Sequence, residues 1–261
     1  MVESKGDRIA KLMARAGLCS RRDAERWIVQ GRVSVEGKVL TSPAVVVPEG
    51  ARVLVDGKPL PAAERARLFR YHKPRGLLTT HKDPQGRPTV FERLEGDLPR
   101  LISIGRLDLD SEGLLLLTND GGLARRLMLP KTGWLRRYRV RVHGAVDTDA
   151  LDRLAKGITV DGVIYGPVKA RLDRQQGENA WLTVSINEGR NREIRRLFEH
   201  LGWPVNRLIR TGYGPFQLAS LRRGAVEEVP RRIMREQLGG LLAEDQDNGK
   251  GARHARRRRT A

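Results

Sequence analysis

Gly105-Arg106-Leu107-Asp108-Leu109-Asp110-Ser111-Glu112-Gly113-Leu114-Leu115-Leu116-Leu117-Thr118-Asn119-Asp120-Gly121-Gly122 places three carboxylates just ahead of a compact apolar run. A run as short as 114–117 reads as a strand buried on both faces, with Gly113 marking a bend where it starts. Residues 118–122 then turn the chain, and Asp120 suits the N-cap of a short helix through Ala124 and Leu127. Acidic groups on a loop held by a buried strand are a common way to build a catalytic site. On pattern alone, the same acids also suit turn formation and surface solvation.

Working outward, Leu68 to Tyr71 begins a strand that runs into Lys73-Pro74-Arg75-Gly76-Leu77-Leu78-Thr79-Thr80. Pro74 lacks the amide that a central strand needs, and Gly76 permits a tight backbone path. Residues 81–87 form a polar loop with Asp83-Pro84 and Gln85-Gly86 turn signals. Tyr138-Arg139-Val140-Arg141-Val142 alternates strictly, so Tyr138, Val140 and Val142 share one face. By that alternation alone Tyr138 is a core tyrosine. Residues 147–156 read as a helix with Leu151 and Leu154 inward, and 181–186 as another alternating strand. In Glu188-Gly189-Arg190-Asn191-Arg192-Glu193-Ile194-Arg195-Arg196-Leu197-Phe198, Asn191 can cap a helix carrying Ile194, Leu197, Phe198 and Leu201 on one face. Arg195 and Arg196 cannot then both point at solvent and avoid the core edge. Residues 205–211 supply a further strand.

Before this region lies a smaller module. Ile9, Leu12, Met13 and Ala16 follow helical spacing, and Gly17 stops that helix. Ser20-Arg21-Arg22-Asp23 reads as a capping box opening a second helix with Ala24, Trp27 and Ile28 inward. Arg21 and Arg22 sit in its first turn, where cations oppose the helix dipole. Charge placed against local preference points to an anionic partner, and helix N-termini also receive phosphate. A hairpin around Glu36-Gly37 and a strand at 51–57 complete the module.

The charge balance supports the same partner. Lys and Arg outnumber Asp and Glu by 50 to 31, a net +19, which is the footprint of a protein that meets RNA or DNA. A membrane-surface protein would need a basic amphipathic helix with Trp or Phe on its apolar face, and none stands out. Aromatics make up only 5% of the chain, too few for a surface that stacks many bases. Cys19 is the single cysteine, so neither an intrachain disulfide nor a cysteine metal cluster is expected. No apolar run approaches membrane length, and the charged N-terminus lacks a signal-like core, so a reducing cytoplasm is expected. Arg253-His254-Ala255-Arg256-Arg257-Arg258-Arg259 reads as a disordered, phosphate-attracting tail.

Gly105-Arg106-Leu107-Asp108 followed by Ser111-Glu112-Gly113 and the leucine run closely resembles the signature of the pseudouridine synthases that modify bacterial ribosomal RNA. Residues 73–80 resemble that family's first motif. The Asn191-Arg192-Glu193 variant is most similar to the large-subunit, B-type branch. Residues 18–31 with Val33-Ser34-Val35-Glu36-Gly37 look like an S4 domain, a small RNA-binding module. The resemblance implies an α+β chain. An S4-like domain over 1–61 and a linker at 62–67 lead into a mixed, mainly antiparallel catalytic domain over 68–242. Residues 243–261 are the basic tail. It implies isomerisation of a uridine in ribosomal RNA, most similar to the 23S type, without cofactor or metal. The partner would be ribosomal RNA, free or in a partly assembled large subunit, and the enzyme a monomer.

By the same resemblance Asp108 is the catalytic residue. Tyr138 faces it and is tied to removal of the C5 proton. Arg195 pairs with the aspartate, orients it and favours its ionised form. Arg106 helps hold a nucleotide flipped from its stack. Arg21, Arg22, Lys73, Arg75, Arg190, Arg192 and Arg196 are expected to face RNA. Three rivals stand beside this reading. One is the same reaction on small-subunit RNA, and another a non-catalytic S4-type assembly factor. The third is a nuclease with Asp108, Asp110 and Glu112 on Mg²⁺.

Overall fold

The structure is a computed structural model that describes residues 6–246. The chain divides into two compact units, the first ending at Ala66 and the second starting at Arg67, with 98–102 and 119–121 grouped with the first. Residues 62–67, expected as a linker, carry no helix or strand.

In the first unit β1 (Gly6–Arg8) leads into α1 (Ile9–Arg15) and α2 (Arg21–Val29). The strands β2 (Val33–Val35), β3 (Lys38–Val39), β4 (Val46–Pro48), β5 (Val53–Val55) and β6 (Lys58–Pro59) follow. β1 pairs with β4, and the others form a sheet in the order β3-β2-β5-β6. The capping box forms as expected. Ser20 Oγ accepts the Asp23 N–H at 3.1 Å, and Asp23 Oδ2 accepts the Ser20 N–H at 3.4 Å. Both hairpins turn through successive left-handed residues, Glu36-Gly37 and Asp56-Gly57. That backbone matches the right-handed twist of the strands it joins. Ile9, Met13, Ala24, Ile28, Val33 and Val55 are buried in one core, while Arg21 and Arg22 stay exposed.

The second unit opens with β7 (Leu68–Lys73), β8 (Ile102–Ile104) and β9 (Glu112–Thr118), followed by α3 (Gly121–Met128). Next come β10 (Arg136–His143), α4 (Thr148–Leu154), β11 (Ile158–Val160) and β12 (Val163–Tyr165). β13 (Val168–Gln176), β14 (Asn179–Ile186), α5 (Glu193–His200) and β15 (Val205–Tyr213) continue the chain. β16 (Phe216–Gln217), β17 (Val226–Glu228) and α6 (Arg231–Gln246) complete it. Among the described residues one large sheet runs β13-β14-β10-β15-β9-β7-β17, with β16 on β15 and β8 on β9. The β15–β9 pairing is parallel, and the neighbouring β10–β15 and β7–β9 pairings are antiparallel. The α+β class and the mixed, mainly antiparallel sheet therefore stand as expected. The expected tail is helical as far as Gln246 in α6, and the rest of it lies outside the described residues.

β9 lies between β15 and β7, and every one of its residues is buried, as the unbroken leucine run requires. Its bend has a steric cause. Gly113 holds φ +106°, and a Cβ there would lie 2.3 Å from the Arg210 carbonyl oxygen of the parallel neighbour. The Asn191 cap does not form. Arg192, at φ 52°, occupies the N-cap of α5, and the Glu193 side chain turns back to accept the Arg190 N–H instead. Gly113→Ala is expected to destabilise the chain by about 3 kcal/mol or more, through strain at positive φ and backbone overlap. Urea unfolding measures this, and a loss below about 1 kcal/mol would contradict the account of the β9–β15 junction.

Candidate active site

β7 builds the floor of the site. Phe69, Tyr71 and Lys73 alternate onto one face, so the strand delivers a lysine where its period calls for an apolar residue. Lys73 is fully buried, and its ammonium donates to the carbonyls of Pro74 at 3.1 Å, Asp108 at 3.0 Å and Ser111 at 2.8 Å. Those acceptors can engage all three ammonium protons. Burial pushes the amine down to about 8, opposed by the charges of Asp108, Asp110 and Glu112. The expectation that Lys73 faces RNA is therefore corrected. Only Arg75 of that pair is exposed.

The same fixation extends along the whole turn between β8 and β9. Arg210, buried on β15, donates to the carbonyls of Leu114 at 2.7 Å and Arg106 at 3.4 Å. The Thr79 hydroxyl donates to the Leu107 carbonyl at 2.8 Å, and the Gly76 N–H to the Leu109 carbonyl at 2.7 Å. Arg195 Nη2 donates to the Asp110 carbonyl at 3.1 Å. The carbonyls of Arg106, Leu107, Asp108, Leu109, Asp110 and Ser111 thus all accept a hydrogen bond.

The three carboxylates fall into different surroundings. Glu112 is 1% exposed, chelated by Arg207 at 2.6 and 3.3 Å and reached by Arg223 at 3.2 Å. Burial alone would raise its pKa, but the Arg207 hydrogen bond and the charges of Arg207, Arg223 and Arg75 hold it below the usual range. Asp110 meets Arg195 Nη2 at 3.2 Å and Arg192 Nη1 at 3.4 Å. The Asp108 side chain is 30% exposed, with Arg192 Nη1 at 4.0 Å. Arg195 therefore pairs with Asp110 rather than with Asp108, contrary to expectation. The Ser111 N–H closes a turn on the Asp108 carbonyl, and Arg195 grips both the backbone and the side chain of Asp110. Its other arm donates to the Val205 carbonyl at 2.8 Å, and burial pulls its pKa below the ordinary arginine value. Among the described residues no group of three or more His, Cys, Asp or Glu could hold a metal ion.

The remaining candidate residues divide between buried and exposed positions. Tyr138 is buried on β10 in register with Arg210, the residue that ties the Arg106 carbonyl. Arg106, Arg190, Arg192 and Arg196 are exposed, and α5 buries Arg195 with Ile194, Leu197 and Phe198. Arg190 is also bonded to Glu188 at 2.9 Å. Sequence reasoning missed Arg210, Arg207, Arg223 and the inward role of Lys73. Strand alternation held the signal for two of them, since Lys73 follows Phe69 and Tyr71, and Arg210 follows Leu208.

Residues 67–200 match the RNA pseudouridylate synthase family, and residues 7–53 match the S4 domain. An uncharacterised RNA pseudouridine synthase of Rickettsia bellii is 50% identical over 226 residues, covering 87% of this chain and 98% of that protein. Ribosomal large subunit pseudouridine synthase B of Haemophilus influenzae is 43% identical over 255 residues, covering 93% of this chain and 70% of that one. A crystal structure of a pseudouridylate synthase is similar at TM-score 0.62 and 28% identity, over 89% of this chain and 99% of that one. The chain belongs to the RNA pseudouridylate synthase family and is a pseudouridine synthase with an N-terminal S4 domain.

The ion-pair geometry has a thermodynamic signature. A double-mutant cycle between Arg195→Ala and Asp110→Ala is expected to show coupling of about 1 kcal/mol or more, because the two side chains touch. Cycles of Arg195 with Asp108, and of Arg196 with Asp110, are expected to show less. Denaturant unfolding of the single and double variants supplies the numbers, and additive losses at Arg195 and Asp110 would refute the pairing.

Proposed function

We propose that this enzyme isomerises a uridine of ribosomal RNA, with the large subunit as its target and Asp108 as the catalytic residue. One observation carries the reading. The backbone from Arg106 to Ser111 is fixed at every carbonyl, while the Asp108 carboxylate stays part-exposed beside Arg192. Glu112 and Asp110 each meet two arginines at 3.4 Å or less, whereas Asp108 has only the looser Arg192 contact at 4.0 Å, which supports Asp108 as the acid that meets the substrate. The large-subunit target is supported by the similarity to the Haemophilus influenzae enzyme, which is named for that subunit.

The chemistry needs no exchange of atoms with a second substrate. The bond from uracil N1 to C1′ breaks, the base turns, C5 bonds to C1′, and the C5 proton leaves to solvent while N1 gains one. Asp108 acts on the sugar, either by attack at C1′ or by taking the 2′ proton. Both routes need it as an anion, and the Arg192 guanidinium lies 4.0 Å from its carboxylate. Tyr138, on the strand beside Arg210, is the residue assigned to the C5 proton. Such a site takes the nucleotide out of its stack, which costs a few kcal/mol. The exposed Arg75, Arg106, Arg190, Arg192 and Arg196 supply charge for the RNA backbone around that nucleotide. Arg21 and Arg22 provide a second, separate anchor for RNA on the S4 domain. We assign the protein to the cytoplasm as a monomer. Among the described residues, no helix is long and apolar enough to cross a membrane.

Tritium release from 5-³H-uridine-labelled ribosomal RNA tests the reading. Wild-type protein is expected to release tritium from large-subunit RNA with EDTA present, leaving the RNA at full length. Asp108→Asn is expected to abolish release while RNA affinity stays within about threefold, since the amide keeps the shape and loses the anion. Shortened RNA would favour the nuclease reading, and RNA binding without release would favour the assembly factor. Replacing Arg21 and Arg22 by alanine is expected to lower the salt slope of RNA binding by roughly 0.7–0.9 for each phosphate no longer neutralised. An unchanged slope would remove that helix from the RNA interface.

A further inference from the structure

Between β14 and α5 the chain makes a tight loop, and two carboxyl groups lie inside it. Glu188 is held on both oxygens, accepting the Gly166 N–H at 2.7 Å and Arg190 Nε at 2.9 Å. Glu193 accepts the Arg190 N–H at 2.8 Å on Oε2. Its other oxygen, Oε1, is buried without a hydrogen-bond partner in a residue that is 3% exposed. The other ionisable groups facing the pair are Arg190 within the loop, Arg136 on β10 and Tyr165 on β12. Arg136 donates to the carbonyls of Asn187 at 2.6 Å and Glu188 at 3.3 Å, and Arg190 lies 5.7 Å over the Tyr165 ring. Between the two glutamates sits Arg192, left-handed at φ 52° and without a side-chain cap, its guanidinium pointing at Asp110 and Asp108.

An ionised carboxylate with one bare oxygen is expensive to bury, and two adjoining carboxyl groups cannot both carry charge cheaply. Glu188 already has a cation and an amide, so a single proton belongs on Glu193. We propose that Glu193 works as a neutral carboxylic acid that donates from its buried Oε1 to Glu188, and that this bond positions Arg192 against the Asp108–Asp110 pair. The inference rests on the isomerase reading above and adds a proton on which it depends. Glu193 touches no reacting atom and is a positioning residue. The electrostatics agree with the geometry. Burial first, then the charge of Glu188 and a hydrogen bond to it, raise Glu193 to about 7, against the Arg190 amide and charge. Glu188 itself is held below the usual range, because the Gly166 and Arg190 hydrogen bonds and the Arg190 charge outweigh its burial.

The sign of the pH effect follows. A carboxyl whose pKa is raised by folding keeps its proton, and the hydrogen bond that proton makes, through the ordinary carboxylate range and up to its folded pKa. That hydrogen bond breaks as pH rises through about 7, when like charges at Glu188 and Glu193 open the loop and release Arg192.

The test is single-turnover tritium release from ribosomal RNA between about pH 5 and pH 9, for wild type, Glu193→Gln and Glu193→Ala. Above neutrality the wild-type rate is expected to fall, by up to roughly tenfold per pH unit. Glu193→Gln keeps a neutral donor, its amide NH2, in the place of the Oε1 hydroxyl. It is expected to stay within about threefold of the wild-type rate below neutrality and to lose the alkaline limb. Glu193→Ala is expected to be slower throughout. The infrared carbonyl band of a protonated carboxylic acid should be present in wild type near neutrality and absent in Glu193→Gln. If Glu193→Gln keeps the wild-type alkaline limb, or is as slow as a folded Glu193→Ala, the proposal is wrong. Wild type and Glu193→Gln decide the matter even if Glu193→Ala does not fold. Should wild-type protein release no tritium at all, the isomerase reading fails, and the infrared band still tests the proton on Glu193 by itself.

Discussion

A buried ammonium holds the turn between β8 and β9 together. Lys73 is out of water, and burial disfavours its charge strongly enough to bring its pKa to about 8. The offset comes from three carbonyl acceptors and from the nearby charges of Asp108, Asp110 and Glu112. Neither side of that balance exists without the other. Remove the lysine and the Asp108 and Ser111 carbonyls lose a donor; move the turn and a buried cation loses its acceptors. The arrangement makes the position of Asp108 a property of the sheet, since Lys73 belongs to β7 and Arg210 to β15, the two neighbours of β9.

Around this frame the charges are divided by task. Arg207 and Arg223 hold Glu112, Arg195 holds Asp110, and Arg192 stands between Asp110 and the part-exposed Asp108. Arginine suits these duties because its fork can bond a carboxylate and a carbonyl at once, as Arg195 does with Asp110 and Val205. The remaining exposed arginines and the net +19 belong to a different length scale, that of steering a polyanion towards the site.

Much of this was readable in the residues themselves. The leucine run announced a buried strand, the alternation of Tyr138, Val140 and Val142 announced β10, and Ser20 with Asp23 announced a helix start. In each case a local period or a short-range hydrogen bond decides the structure. The α5 register was legible too, with Arg195 inward and Arg196 outward. What escaped were pairings set by tertiary structure. Arg195 meets Asp110 rather than Asp108 because the turn at 108–111 aims those two side chains differently, and sequence spacing carries no such direction. Asn191 does not take the capping position because Glu193 reaches back to the Arg190 N–H and Arg192 adopts a left-handed backbone. Lys73 looked like a surface cation because lysines are seldom fully buried. Only the period of β7 hinted otherwise.

The most direct test is the single-turnover rate of Lys73→Met, measured beside its affinity for ribosomal RNA. Methionine keeps most of the length of the side chain and deletes every donor. If the fixed turn places Asp108, the rate should fall tenfold or more, since displacement of a reacting group by about 1 Å has that order of cost. RNA affinity should stay within about threefold, because the buried amine touches no solvent. A Lys73→Met enzyme that turns over at the wild-type rate would show that Asp108 finds its place without the lysine, and the account would be wrong at its centre.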